Sequence, residues 1–209
     1  MSAKKLFLLL MFFSGVASAQ DEKRALSILD EMSRRYQAYS SFKINFTYAP
    51  AGGRPARGEA IVKGQKFRLK MADQEIVTDG KTIATYIPET NEVTLQAYDP
   101  QEIGDLSPAR IYLAYKKGYK NAFTGETNAN GQTFENIRLT PTGSSAPISK
   151  VELKIGKQDK AIKGWKVFAK GSDTMNFDVT GFQANPDPAD ADFTFSKKLF
   201  PGAEIVDLR

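Results

Sequence analysis

Hydrophobic residues recur along this chain with two different spacings, and the first of them is helical. The segment with helical spacing starts with the acidic residues Asp21 and Glu22, at the end where a helix dipole favours negative charge. The segment ends at Ser40, before the spacing changes. A three-to-four-residue repeat predicts a helix with one apolar face. Its apolar positions are Ala25, Leu29, Met32 and Tyr36.

From residue 42 onward, hydrophobic residues occupy every second position. Phe42, Ile44 and Phe46 alternate with polar neighbours, which predicts a strand with one buried face. Asp79-Gly80 and Asn130-Gly131 are typical hairpin turns. About eleven short strands are predicted in this way, the last of them over residues 192–195.

A second helix is predicted between Ser107 and Gly118. Ser107 is a capping hydroxyl and Pro108 suits the first helical position, while Gly118 is well placed to end the helix. Two or three helices therefore accompany the strands.

Short strands at a spacing of 8–12 residues predict a large antiparallel sheet that curls or nearly closes. Eight strands close a barrel just wide enough for side chains or one small ligand, so more strands leave a space to be filled. Helices or a ligand can fill it. Aromatic residues therefore either line a ligand cavity or fill the core: Tyr36, Phe42, Phe46, Phe67, Tyr86, Tyr112 and Tyr115.

The first nineteen residues have the layout of a secretory signal peptide. Lys4 and Lys5 precede an apolar run over residues 6–13, and small residues end at Ala19. The run is shorter than the roughly 20 residues that a spanning helix needs, although an N-terminal membrane anchor is the alternative. We expect cleavage after Ala19, which leaves residues 20–209 as one exported domain in the periplasm.

Charge and composition narrow the possible partners. The net charge is +5 in the full chain and +3 without residues 1–19, which contain two lysines and no acidic residue. This small excess does not indicate nucleic-acid binding, which needs a dense basic stripe. The chain has no Cys, so disulfides and a lipid-modified N-terminal cysteine are excluded. We expect a monomer.

The composition also argues against an enzyme. The absence of His removes imidazole general bases, Ser-His pairs and the usual zinc sites. Two acidic groups are candidate sites for a hard cation, and ordinary solvated loops are the alternative interpretation. We expect no catalytic residue, no cofactor and no metal. The two groups are Asp99, Glu102 and Asp105, and Asp187, Asp190 and Asp192.

Several stretches together resemble one known family. The chain resembles the outer-membrane lipoprotein carrier proteins, the periplasmic lipoprotein chaperones of the Lol pathway, and it is similar to their Bacteroidota branch. The order and spacing of the matching stretches run through the whole mature chain. They are residues 41–46, 62–69, 75–83, 86–88, 91–93, 192–195 and 201–207, with Ser107-Pro108 and residues 115–119 typical of the branch.

The resemblance implies an incomplete antiparallel β-barrel of about eleven strands, covered by an α-helical lid over an apolar cavity. It implies a chaperone that binds acylated lipoproteins released by an inner-membrane ABC-type transporter and delivers them to an outer-membrane acceptor or the membrane itself. The alternatives are an envelope lipid-binding sensor or adaptor and a lipocalin-like binder of small hydrophobic ligands. The chain departs from the family at Gly64. Well-studied proteobacterial members carry an arginine after the lysine that matches Lys63, and that arginine gates the helical lid. Its absence here means that this latch is not carried over.

The alternating strands give a hypothesis for the lining of the lipid-binding cavity. Residues on the apolar faces of two strands, together with two tyrosines, are expected to point into it. They are Phe42, Ile44, Phe46, Phe67, Leu69, Met71, Tyr86 and Tyr112.

Overall fold

One helix and one sheet make up most of the structure. The computed structural model describes residues 14–100, 107–143, 146–171 and 173–209. In chain order the elements are α1 (Ser14–Gln37), β1 (Phe42–Pro50), β2 (Ala56–Lys63), β3 (Lys66–Lys70), β4 (Glu75–Thr78), β5 (Thr82–Ile87), β6 (Glu92–Ala97), a 3-10 helix (Ala114–Lys116), β7 (Tyr119–Ala129), β8 (Gln132–Pro141), β9 (Ile148–Gly156), β10 (Ile162–Ala169), β11 (Met175–Ala184), a 3-10 helix (Asp190–Phe193) and β12 (Glu204–Asp207).

The twelve strands of the described residues form a single open sheet. Their order is β12-β6-β5-β4-β3-β2-β1-β11-β10-β9-β8-β7, so β12 and β7 are its two edges. Neighbours are antiparallel, except that β12 runs parallel to β6. The pairing of β1 with β11 joins the meander β1–β6 to the meander β7–β11. This confirms the expected incomplete barrel, with twelve strands instead of about eleven.

The helix α1 covers one face of the sheet. Its predicted stripe is buried, with Ala25, Leu29 and Met32 fully inaccessible and Tyr36 4% exposed. These residues pack in one cluster with Ile137, Leu153 and other apolar side chains of β8 and β9. The face that α1 covers is called the inner face below.

The other face is covered near β4, β5 and β6 by the end of the chain. Directly opposite residues of antiparallel neighbours lie on the same face of a sheet. The register aligns Arg68 with Val77, Val77 with Ala84 and Ala84 with Leu95, so these four side chains share the outer face. Phe200 packs on this second cluster. The outer face of this end of the sheet is therefore buried, and β12 adds a strand beside β6.

The predicted second helix is instead a series of turns that ends in a 3-10 helix. The N–H groups of Arg110, Leu113 and Lys116 each donate to the carbonyl three residues earlier, as in 3-10 geometry. A helix this short has little stability of its own, so tertiary contacts decide its form. Here Tyr115 is 4% exposed and held against α1.

Two other boundaries differ from expectation. The helix α1 begins at Ser14, upstream of Asp21 and of the cleavage position expected after Ala19, and that cleavage stays a prediction. The strand expected over residues 192–195 is replaced by the 3-10 helix Asp190–Phe193. The Asp192 carboxylate accepts the N–H of Ala189 at 2.9 Å and caps this turn. Among the residues that the structure describes, no helix is both long and apolar enough to cross a membrane.

Close packing of β10 against β11 predicts a strong effect of adding one methyl group at Gly164. A Cβ there would lie 2.6 Å from the backbone oxygen of Phe177, which cannot swing aside as a side chain can. We expect Gly164→Ala to lower the free energy of unfolding by about 1–3 kcal/mol, measured by urea denaturation. Gly143→Ala is the matched control, since nothing lies within 4 Å of its Cβ position. Equal stability of the two variants would contradict this packing.

Candidate functional site

A closed-in apolar cavity of about 180 Å³ lies between the inner face of the sheet and its cover. The central strands form its floor, and α1 together with the segment 107–118, here called the lid segment, forms its roof. It is lined by Tyr36, Phe42, Ile44, Phe46, Ala60, Leu69, Met71, Pro108, Ile111, Tyr112, Ile162, Trp165, Val167, Phe177 and Val179.

The strand register explains why these distant residues meet. Ile44 of β1 lies opposite Ala60 of β2, and Ala60 lies opposite Leu69 of β3. On the other side of β1, Phe46 lies opposite Val179 of β11. Since opposite residues share a face, the alternating apolar positions of four neighbouring strands form one continuous floor.

Aromatic rings at the centre of the sheet make this floor stiff and apolar. Trp165 and Phe177 lie opposite each other in β10 and β11 and stack with centroids 4.7 Å apart and planes 8° apart. Phe46 packs against both rings at 6.1 Å. Phe46 also fills the space beside Gly58, where a Cβ would lie 2.4 Å from its ring. The glycine thus allows the ring to lie flat against the strand.

Two tyrosines connect the roof to the floor. Tyr36 of α1 stacks with Tyr112 of the lid segment, with centroids 5.5 Å apart, and meets Phe42 edge-on at 5.4 Å. The Tyr36 hydroxyl oxygen accepts the N–H of Ile162 at 3.2 Å. Burial raises the pKa of Tyr36 to about 12, and the hydrogen bond from Ile162 offsets only part of that rise. The hydroxyl therefore stays neutral inside the cavity wall at physiological pH.

Polar contacts hold the roof in place at two further points. The Tyr115 hydroxyl donates to the Asp30 carboxylate at 2.5 Å and so ties the lid segment to α1. Burial, with a contribution from Asp30, raises the pKa of Tyr115 to about 12. Arg24 forms an ion pair with Glu126 at 2.5 Å and lies 3.7 Å above the ring of Phe123. The two contacts of Arg24 join α1 to β7, one of the two edge strands of the sheet.

Charged side chains stay out of the cavity wall. None of the lining residues carries a formal charge. Neighbouring charges on these strands pair elsewhere, as Lys43 does with Glu59 at 2.7 Å. Arg68 likewise donates to Glu75 at 2.6 Å. An uncharged aromatic and aliphatic wall can hold hydrocarbon, but it offers no base, nucleophile or cation ligand for chemistry.

Six of the eight residues expected to line the cavity lie in its wall: Phe42, Ile44, Phe46, Leu69, Met71 and Tyr112. The structure does not bring the other two there. Phe67 is on the inner face but is 1% exposed within the main cluster, with its ring near Tyr98. Tyr86 lies on the opposite face, where it stacks on Phe200 at 4.5 Å.

The lining residues that sequence reasoning missed come mainly from β10 and β11. Trp165 and Val167 alternate with Lys166, and Phe177 and Val179 alternate with Asp178. The same period-two signal was present in both strands. Their position next to β1 follows only from the pairing of β1 with β11.

The acidic groups considered for a cation take other roles where they are described. Asp190 pairs with Lys66 at 3.0 Å, and Asp192 caps the turn described above. Glu102 and Asp105 lie outside the described residues. Across the described parts of the chain, no group of three or more acidic residues is arranged to hold a metal ion.

The β2–β3 turn around Gly64 contacts the segment that follows β11. Lys63 donates to the carbonyl of Pro188 at 3.2 Å, and both Lys63 and Lys66 approach Asp190. These lysines therefore hold the β2–β3 turn to the segment that follows β11. The contacts that hold the roof include those of Tyr36, Tyr115 and Arg24.

The family comparison agrees with this geometry. The family model "Outer membrane lipoprotein carrier protein LolA" matches residues 53–196, more than half of the chain. The chain belongs to the LolA family. A LolA-family relative named outer-membrane lipoprotein carrier protein, from Aliivibrio salmonicida, is 27% identical over 99% of this chain and all of its own length. A second, from Aliivibrio fischeri, is 27% identical over 86% of this chain and 89% of its own. The similarity to a Bacteroidota branch stays a prediction.

Solved structures show the same fold at low sequence identity. An uncharacterised conserved protein from Thermus thermophilus has a TM-score of 0.60 and 13% identity, over 88% of this chain and 99% of that one. MucB, in a Pseudomonas aeruginosa MucA/MucB complex, has a TM-score of 0.51 and 18% identity, over 84% of this chain and 62% of that one. At this identity the two matches show the fold alone.

The raised pKa of Tyr36 predicts a loss of stability at alkaline pH. Between pH 10 and 12 the unfolded chain has lost this proton while the folded protein keeps it, so the free energy of unfolding falls as the pH rises. In this range, Tyr36 lowers the free energy of unfolding by an amount that approaches about 1.4 kcal/mol per pH unit. Urea unfolding at intervals from pH 9 to 11.5 measures this slope.

Tyr36→Phe provides the comparison. The variant loses the hydrogen bond from Ile162, which lowers stability at every pH, but it also loses the titrating group. Its stability should therefore decline less steeply above pH 10 than that of the unaltered protein. Parallel curves would contradict the assignment.

Proposed function

We propose that this protein is a periplasmic chaperone that binds the acyl chains of lipoproteins and carries them from the inner to the outer membrane. The observation that carries the proposal is the uncharged, aromatic-lined cavity beneath α1 and the lid segment. Membership of the LolA family supports it. The working form is residues 20–209, exported after removal of the signal peptide.

The physical need for such a carrier comes from the cargo. Each methylene that leaves water contributes about 0.8 kcal/mol, so several acyl chains keep a lipoprotein from crossing the periplasm alone. Release sets the opposite limit, because non-covalent binding saturates near −18 to −21 kcal/mol and transport requires weaker binding than that. A cavity without chemistry meets both needs, and the carrier is not an enzyme.

The size of the cavity indicates that loading requires the roof to move. At about 180 Å³ it is smaller than the ~300–1,000 Å³ of pockets that enclose a drug-sized ligand. Several acyl chains need more room than this. In this proposal the described conformation is the closed one, and displacement of α1 and the lid segment enlarges the space above the sheet.

The partners in this proposal follow the route of the cargo. An inner-membrane ABC-type transporter hands over acylated lipoproteins, and an outer-membrane acceptor or the membrane itself receives them. Native mass spectrometry of the protein purified from periplasm tests this directly. A bound acylated lipoprotein supports the carrier, whereas a bound phospholipid or fatty acid favours a lipid-binding sensor or adaptor.

A charge placed in the cavity floor should abolish cargo binding. Leu69 lines the cavity beside Ala60, and burying a leucine is worth roughly 1.5–3 kcal/mol. We therefore expect Leu69→Glu to weaken binding of a fluorescent acyl ligand by at least about tenfold. Circular dichroism checks that the variant is folded.

Leu208→Glu makes the same change at a side chain that is 62% exposed near the end of the chain. This control should bind the acyl ligand as the unaltered protein does. Folded Leu69→Glu protein with undiminished binding would remove Leu69 from the site.

Fixing α1 to the sheet edge should block loading. Arg24 and Glu126 already meet across this boundary, and the chain has no native cysteine. We expect Arg24→Cys/Glu126→Cys protein, joined by a short bismaleimide, to take up little acyl ligand. The same double variant without cross-linker is the control. Equal uptake by both would show that α1 does not have to move.

A further inference from the structure

The apolar cavity has a polar neighbour. A second cleft of about 250 Å³ lies beside it, and its wall includes Gln37, Ser40 and Ser41 as well as backbone at Gly64. Tyr36, Phe42 and Tyr112 line both spaces. The boundary between the apolar and the polar space is therefore made of three aromatic rings, two of which carry a hydroxyl.

Neither of the two hydroxyls at this boundary makes all the hydrogen bonds it can make to the described residues. The Tyr112 hydroxyl has no hydrogen-bond partner in the part of the chain that the structure describes, although its ring is fixed against Tyr36 at 5.5 Å and Phe42 at 6.2 Å. The Tyr36 oxygen accepts the N–H of Ile162, and no acceptor for its own proton is found among the described residues. Phenylalanine would pack equally well at position 112 if packing were the only requirement.

Tyr112 is half-buried, and its hydroxyl is not among the buried polar atoms that lack a partner, so it is accessible to a group that enters the cleft. Burial raises the pKa of Tyr112, so its hydroxyl keeps its proton and stays a donor at neutral pH. An acceptor that arrives with the ligand can therefore take the hydrogen bond that this accessible donor offers. In an acylated ligand the first acceptor next to the hydrocarbon is the ester carbonyl oxygen, which lies where the apolar chain meets the polar backbone of the lipid.

We propose that Tyr112, assisted by Tyr36, donates a hydrogen bond to an ester carbonyl of the bound ligand at the junction of the two spaces. The inference rests on the proposed function and makes it more specific. The cavity then selects diacylglyceryl esters over hydrocarbon of the same length, and the cleft takes the polar part that follows the esters.

The test compares two ligands that differ only in the two carbonyl groups. One is a short peptide with an N-terminal S-(2,3-diacyloxypropyl)cysteine, and the other is its dialkyl ether counterpart with equal chains. Their affinities are measured by competition against a fluorescent apolar dye, with the unaltered protein and with Tyr112→Phe. We expect Tyr112→Phe to weaken binding of the ester roughly fivefold, as for the loss of one hydrogen bond, and to leave binding of the ether unchanged.

Tyr86→Phe is the matched control. It removes a tyrosine hydroxyl on the opposite face of the sheet, where the group donates to Asn91 at 3.1 Å, and should change neither affinity. Equal weakening of ester and ether by Tyr112→Phe would assign Tyr112 a packing role and overturn the inference. Unchanged binding of both ligands would overturn it as well. Failure of the unaltered protein to bind either ligand would instead refute the carrier function on which the inference rests.

Discussion

The structure depends on covering the inner face of an open sheet. Twelve strands in one layer present a wide apolar surface, and the edges β7 and β12 do not pair with each other. The helix α1 covers this surface at β7–β10 with a stripe that is almost fully buried. Over the central strands the cover is looser, and the remaining space is the cavity. Fold stability and the proposed ligand binding therefore depend on the same surface.

The helix α1 and the lid segment are held by a few directional polar contacts in addition to their apolar contact with the sheet. Tyr36 meets the backbone of β10, Tyr115 meets Asp30, and Arg24 meets Glu126. The ion pair is partly exposed and contributes little on its own. In the proposed carrier function, acyl chains replace side-chain contacts with the floor as the roof moves away, because hydrophobic contact is not directional. The proposal thus combines tight binding with release of the cargo.

The two faces of the sheet have different tasks around β3–β6. The cavity floor on the inner face reaches Leu69 of β3, whereas Phe200 covers the outer face at β4–β6 and β12 extends the sheet beside β6. Lys63 and Lys66 hold the β2–β3 turn to the segment before β12 through Pro188 and Asp190. The end of the chain thus stabilises the sheet from behind and leaves the cavity side to the roof.

Local patterns in the sequence determined most strands and much of the cavity floor. Period-two alternation placed Phe42, Ile44 and Phe46 on one face because successive side chains of a strand point to opposite sides. The register observed between β1 and β2 agrees with that choice. The helical repeat of apolar residues around Met32 likewise predicted α1, because an amphipathic helix buries such an apolar stripe against another surface.

Only the tertiary structure decided which faces meet. Tyr86 belongs to a correctly predicted strand, but its side follows from a register that runs through β3, β4 and β5. Trp165 and Phe177 enter the cavity because β11 pairs with β1, more than a hundred residues away in sequence. The lid segment becomes a chain of turns because contacts with α1 outweigh its weak helical preference. Periodicity is a local property of the chain, whereas pairing and burial depend on residues far apart in sequence.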